Sequence, residues 1–112
     1  MRLPLLNRQL VLEDSYRTPD GAGGYLTEWQ PLGTIWGCLR AGSGREVSGQ
    51  EMARSRVPVR IIVRAMPVGS PARPRAGQRL REGSRIFGIE AVADYHADGR
   101  FLVCHADEEV AP

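Results

Sequence analysis

The residues able to do chemistry in this chain are few, and their spacing argues against catalysis. His96 and His105 are the only histidines, and Cys38 and Cys104 the only cysteines. Cys104 adjoins His105, which raises a thiol–imidazole nucleophile. Strand neighbours point to opposite faces, however, so this pair cannot share the hydrogen bond that activation needs. His96 lies in an Ala-Asp-Gly turn and reads as a solvated turn residue. Glu46 and Glu51 sit among Arg45, Arg54 and Arg56 in a polar stretch with no wall to exclude water. Solvated charge, or pairing between neighbouring copies, suits them better than acid–base work. Gly42-Ser-Gly44 lacks the lysine and the following helix of a phosphate loop. The cysteine spacing excludes the common zinc signatures. These patterns predict no catalytic residue, no metal and no cofactor, and hence no enzyme.

The elements that would position such residues centre on Arg40 to Arg64. Its second half, Val57 to Arg64, alternates as a half-buried strand does. Val57, Val59, Ile61 and Val63 take one face, and Pro58, Arg60, Ile62 and Arg64 the other. Pro58 has no N–H and belongs near a strand start or sheet edge. The first half, Arg40 to Ser55, holds almost nothing to anchor it to a core. Val47 and Met52 are its only sizeable apolar groups between Gly42 and Arg56. Two capping-box spacings, Ser43 to Glu46 and Ser48 to Glu51, allow a short helix over about Ser48 to Arg54. A long polar excursion feeding the best strand is a functional or disordered segment.

The remaining chain reads as short strands and turns. Arg8 to Asp14 is a strand, Thr18 to Gly24 is turn chemistry, and Tyr25 to Trp29 completes a hairpin. Pro31 and Gly33 punctuate before a separate strand, Thr34 to Leu39. There Trp36 and Cys38 share one face, and Ile35 and Leu39 the other. Met66 to Gly77 is a proline-rich loop, and Gln78 to Arg81 a short strand. Arg85 to Val92 slips phase around Gly88, which suggests a bulge. His96 to Gly99 turns into a last strand, Arg100 to His105, followed by an acidic tail from Asp107 to Pro112. The expected fold is mainly β: a small antiparallel barrel or sandwich of about six strands, with a long inserted loop at 40–56. All 112 residues form one domain. The expected core is Leu10, Leu12, Trp36, Cys38, Val59, Ile61, Val63, Ile89 and Leu102.

Composition adds limits. Hydrophobic content of 42% and charged content of 25% are globular values. All 15 basic residues are arginine, which suits fixed bidentate contacts and also follows from a GC-rich coding sequence. A net charge of +2 does not by itself define a nucleic-acid binder. Arg60 and Arg64, with Arg73, Arg75, Arg79, Arg81 and Arg85, could line a basic stripe. The alternative function is therefore a small nucleic-acid-binding barrel, although only seven aromatics are available for stacking. Cys38 and Cys104 sit in apolar runs and read as small hydrophobes, with a disulfide between them left open. Met1 to Leu12, broken by Pro4, Asn7 and Arg8, does not read as a signal peptide, and no run approaches a membrane span. Synthesis in the cytoplasm is expected.

The order of motifs resembles the head–tail joining (head closure or stopper) proteins of tailed phages and gene transfer agents. The matching pieces begin with Leu6 to Leu12, Asp20-Gly-Ala-Gly-Gly24 and Trp29. Thr34 to Leu39 stands in place of the family's tryptophan–alanine strand, and Gly44-Arg-Glu46 matches its loop. Val59 to Arg64 matches its alternating strand, and Arg79-Leu80, Phe87-Gly-Ile89 and Leu102-Val-Cys104 its last hairpin. Gly37 and Cys38 depart from the usual small-plus-polar pair, and the Pro67 to Pro74 loop is unusually proline-rich.

The resemblance implies a structural protein of the particle neck. It would form a homo-oligomeric ring, compatible with six-fold symmetry, below portal and adaptor proteins and above tail terminator or tube proteins. Packaged double-stranded DNA would pass through its channel, which the ring would close, and no membrane would be involved. The loop residues Ser43, Arg45, Glu46, Val47, Glu51, Met52, Arg54 and Arg56 would face the channel or the neighbouring subunit. Arg60 and Arg64 would face DNA or a neighbour.

Overall fold

The computed structural model describes residues 3–42, 56–96 and 98–110. Six strands form among them: β1 (Arg8–Pro19), β2 (Tyr25–Ala41), β3 (Arg56–Arg64), β4 (Arg79–Glu82), β5 (Arg85–Tyr95) and β6 (Phe101–Glu109). Every neighbouring pair is antiparallel, in the order β1-β2-β3-β6-β5-β4, and β4 returns to β1 to close a barrel. Closure removes the exposed edges that an open sheet of this size would carry. The expected small antiparallel barrel is the fold found. No helix occurs among the described residues, and the expected helix at Ser48 to Arg54 lies outside them.

The interior follows the alternation. Leu10 and Leu12, Val59, Ile61 and Val63, Ile89 and Leu102 are buried as expected, joined by Leu80, Phe87, Cys104 and Ala106. The phase of β2 is the reverse of the expected one. Ile35 and Leu39 pack on the core, whereas Trp36 points outward at 52% exposure and Cys38 is only half-buried. Gly37 shares the inner face, and a Cβ there would stand 2.9 Å from Leu10 Cδ1 and 3.1 Å from Ile61 Cγ2. A glycine therefore lets β1 and β3 side chains close over β2 at that point. Because Cys38 faces out and Cys104 in, the two thiols are free and do not meet. Burial pushes the Cys104 thiol up to about 12, which makes it chemically inert.

A second, smaller cluster lies on the outer face. Ile62, Phe101 and Val103 are buried there beneath Leu6, Cys38 and Tyr95. The segment before β1 thus covers sheet that alternation alone would leave wet.

Three boundaries differ from the sequence reading. β2 is continuous through Pro31 and Gly33, because Leu32 is an extra residue: Leu12 pairs with Gly33 and Glu13 with Pro31. Among the described residues no strand flanks β2 there on its other side, so the missing proline N–H breaks no ladder. The bulge in β5 falls at Glu90, between Ile89 and Ala91, rather than at Gly88. Asp107, Glu108 and Glu109 belong to β6, paired with Pro58, Val57 and Arg56, and are not a tail. One end of the barrel is capped by ion pairs. Arg8 Nε donates to Glu82 (2.6 Å), Arg85 Nη1 lies 3.6 Å from Glu82, and Arg85 Nε donates to Glu108 (2.7 Å). Both carboxyls are held below their ordinary range, Glu82 chiefly by Arg8 and Glu108 chiefly by Arg85.

Candidate functional site

Two surfaces stand out from a scaffold otherwise satisfied within itself. The first is an arm. Beyond Glu13 on one strand and before Gly37 on the other, β1 and β2 pair only with each other among the described residues. The stretch Asp14 to Pro19 projects about 20 Å as a two-stranded ribbon. Its tip is set by Asp20, whose Oδ1 accepts from Ala22 N (2.7 Å) and Gly24 N (3.0 Å), with Gly21 and Gly23 at φ of 83° and 88°. Those amides, Ala22 first, hold the Asp20 carboxyl below its usual range. On one face Tyr16 Oη donates to Glu28 (2.8 Å) and Thr18 Oγ1 lies 3.5 Å from it, with Leu26 opposite Thr18. The other face carries Arg17, stacked 4.7 Å over Tyr25.

The arm is fixed at its root by a polar clasp. Glu13 is buried and accepts from Arg79 Nε (2.7 Å) and Arg81 Nε (3.0 Å). Burial alone would raise its carboxyl, but the two guanidinium groups outweigh that and hold it low. Arg79 is in turn stacked 4.2 Å from the centre of the Trp29 ring on the arm. Asp14 meets Arg75 at 3.7 Å beside a cavity of about 380 Å³ lined by Leu32, Val68 and Arg73.

The second surface is a basic row on the outer face. Arg40, Arg60 and His105 are directly opposite one another across β2, β3 and β6. Facing like charges are unfavourable, and the arginines splay apart. Arg60 Nε donates to Ala41 O (3.2 Å), while Arg40 Nη1 reaches Tyr95 Oη (3.2 Å). Arg64 is exposed four residues beyond Arg60 on β3, 5.7 Å over Phe101. None of Arg40, Arg60 and Arg64 has a carboxylate partner among the described residues.

Of the residues singled out in the sequence, Arg60 and Arg64 point outward as expected, and Arg56 pairs in register with Glu109. Ser43, Arg45, Glu46, Val47, Glu51, Met52 and Arg54 lie outside the described residues. The described residues on either side of that stretch are pinned together: Gly42 N donates to Pro58 O (3.1 Å), and a Cβ on Gly42 would lie 2.7 Å from Pro58 backbone. Four of the seven arginines that could line a basic stripe are neutralised by acids. Arg75, Arg79, Arg81 and Arg85 are paired with Asp14, Glu13, Glu13 and Glu108, and Arg73 donates to Met66 O (2.8 Å). Sequence reasoning missed Glu13, Arg40 and the arm. A carboxylate directly following Leu10, Val11 and Leu12 was the available signal for the first.

A closed small barrel with a projecting ribbon and a short basic row that lacks carboxylate partners among the described residues has the geometry of an assembly component. The sequence matches the phage head completion protein family over residues 1–109, and the chain belongs to that family. Among solved structures it is similar to a chain of the virion of a native gene transfer agent particle, at 51% identity and a TM-score of 0.80, spanning 96% of this chain and 98% of that one. Protein SF1141 from Shigella flexneri 2a shares the fold at 23% identity and a TM-score of 0.65, over 96% of each chain. No curated protein matches.

Proposed function

We propose that this chain is a structural neck component of a phage-like particle, assembled as a ring below the portal and adaptor, closing the DNA channel and offering the tail its docking surface. The observation that carries the reading is the 51% identity to a gene transfer agent virion chain across nearly its whole length. The barrel's geometry fits it: a rigid body repeated around an axis brings every copy of the 43–55 loop to one radius, with Gly42 and Pro58 fixing where that loop departs. Isolated exposed ion pairs contribute only about 0–1 kcal/mol each, so cohesion of a ring rests on repetition and apolar contact.

The experiment is to replace Ser43 to Arg54 by a short glycine linker. The barrel should stay folded, since loop length alters stability only weakly. Particles carrying the deletion should package DNA and then leak it, or fail to join tails. Particles of full transfer activity would refute the loop's role.

A further inference from the structure

We infer that the arm of one copy docks on the outer basic row of a second copy, with Glu28 and Asp20 facing Arg60 and Arg64 while Tyr16 and Leu26 lie against the exposed side of β2. This rests on the ring reading above and supplies the contact between its subunits.

Four observations converge on it. The arm is a two-stranded ribbon with both long edges open, a form marginally stable by itself. It exposes Tyr16, Tyr25 and Leu26 at 39%, 61% and 54%. Among the described residues Glu28 receives two hydroxyls and no cation, and Arg60 and Arg64 face outward without a carboxylate. Trp36, on the same outer face of β2 as the row, is exposed at 52% and offers apolar surface to match.

The arm cannot reach the row of its own copy. Glu28 and Arg40 lie on one continuous strand, β2, about 40 Å of extended backbone apart, and even Arg64, level with Trp36, is about 27 Å from Glu28. A second copy can reach it. Each copy then presents an arm to one neighbour and a row to the other, the head-to-tail contact from which closed rings are built. DNA is the weaker occupant. A phosphate backbone offers exposed Trp36, on the row's own face, no apolar surface to meet.

The test is a charge exchange read in particles. Glu28→Arg and Arg60→Glu are introduced singly and together, and the amount of the chain per particle is measured against a head protein. Thermal melting of each purified variant checks folding. Each single reversal should lower incorporation about tenfold, and the double variant should return it to within about threefold of the parent. If a reversal lowers the melting temperature, Glu28→Gln and Arg60→Gln repeat the test, each expected to weaken incorporation about threefold. Normal incorporation of the single variants, or a double variant no better than either, overturns the arm contact and leaves a multi-copy ring standing. Loss of binding to a DNA duplex by Arg60→Glu, with Glu28→Arg silent in every assay, assigns the row to nucleic acid instead. A single copy of the parent chain per particle neck overturns the ring and this contact together.

Discussion

The barrel interior and the arm are built from the same two strands, yet they are held by different physics. Within the barrel β1 and β2 are each paired on both sides; Leu10 and Leu12 are fully buried in one cluster with Ile61, Leu80, Phe87 and Leu102, and Ile35 and Leu39 pack against it. Beyond Glu13, the same ribbon has neighbours on neither edge among the described residues and hydrophobes that face water. The boundary between the two regimes is one buried carboxylate, Glu13, and the two arginines it holds. The difference teaches where specification comes from. The core is determined by apolar burial within the chain, whereas the arm is determined by a polar clasp at its root and by whatever it meets beyond.

The comparison breaks most simply from the barrel side. Ile61 is fully buried at the centre of β3, between Leu39 and Cys104 in register. Ile61→Ala should cost about 2–5 kcal/mol through lost burial and the cavity left behind. Urea unfolding followed by tryptophan fluorescence measures it, and a midpoint equal to the parent's would show that the interior is not where stability resides.

The sequence carried the barrel because alternation and turn chemistry are local. It could not carry the phase of β2, since Ile35, Trp36, Cys38 and Leu39 make both faces apolar and only the close approach at Gly37 decides which turns in. Nor could it show that Pro31 sits at a bulge, because that depends on pairing with β1. Arg60 and Arg64 were legible as outward residues from the period of β3. Their juxtaposition with Arg40 and His105 was not, because the register links strands far apart in sequence. Glu13 reaches Arg79 and Arg81 across separations of 66 and 68 residues, beyond any local pattern.

The clasp gives the next largest effect. Glu13→Gln leaves two guanidinium groups without their carboxylate, one of them mostly buried. A loss of about 3 kcal/mol is expected, near the lower end for a broken buried pair. Hydrogen exchange should rise along the arm while amides of β3 and β6 keep their protection, which a uniform loosening would contradict. A pH titration reports the same groups. Glu13, Glu82 and Glu108 have folded pKa values below the ordinary 4.5, so their contribution is fully present above that pH and is lost as the pH falls through the lower, folded values. Stability should be flat from neutrality to about pH 5 and decline below it. In Glu13→Gln the decline should be shallower.

The smallest effect on the isolated chain is the most informative about the arm. Leu26 is more than half exposed near the tip, and it packs in neither hydrophobic cluster. Leu26→Ser should change the unfolding free energy by no more than about 0.5 kcal/mol, the usual range for a surface substitution. If the ribbon exists to be covered, the same change should lower incorporation into particles, because it removes the apolar part of the contact and leaves Glu28 in place. Stability and assembly would then separate at one residue. A matched loss in both would mean that the arm contributes to the barrel after all, and that the division at Glu13 is drawn in the wrong place.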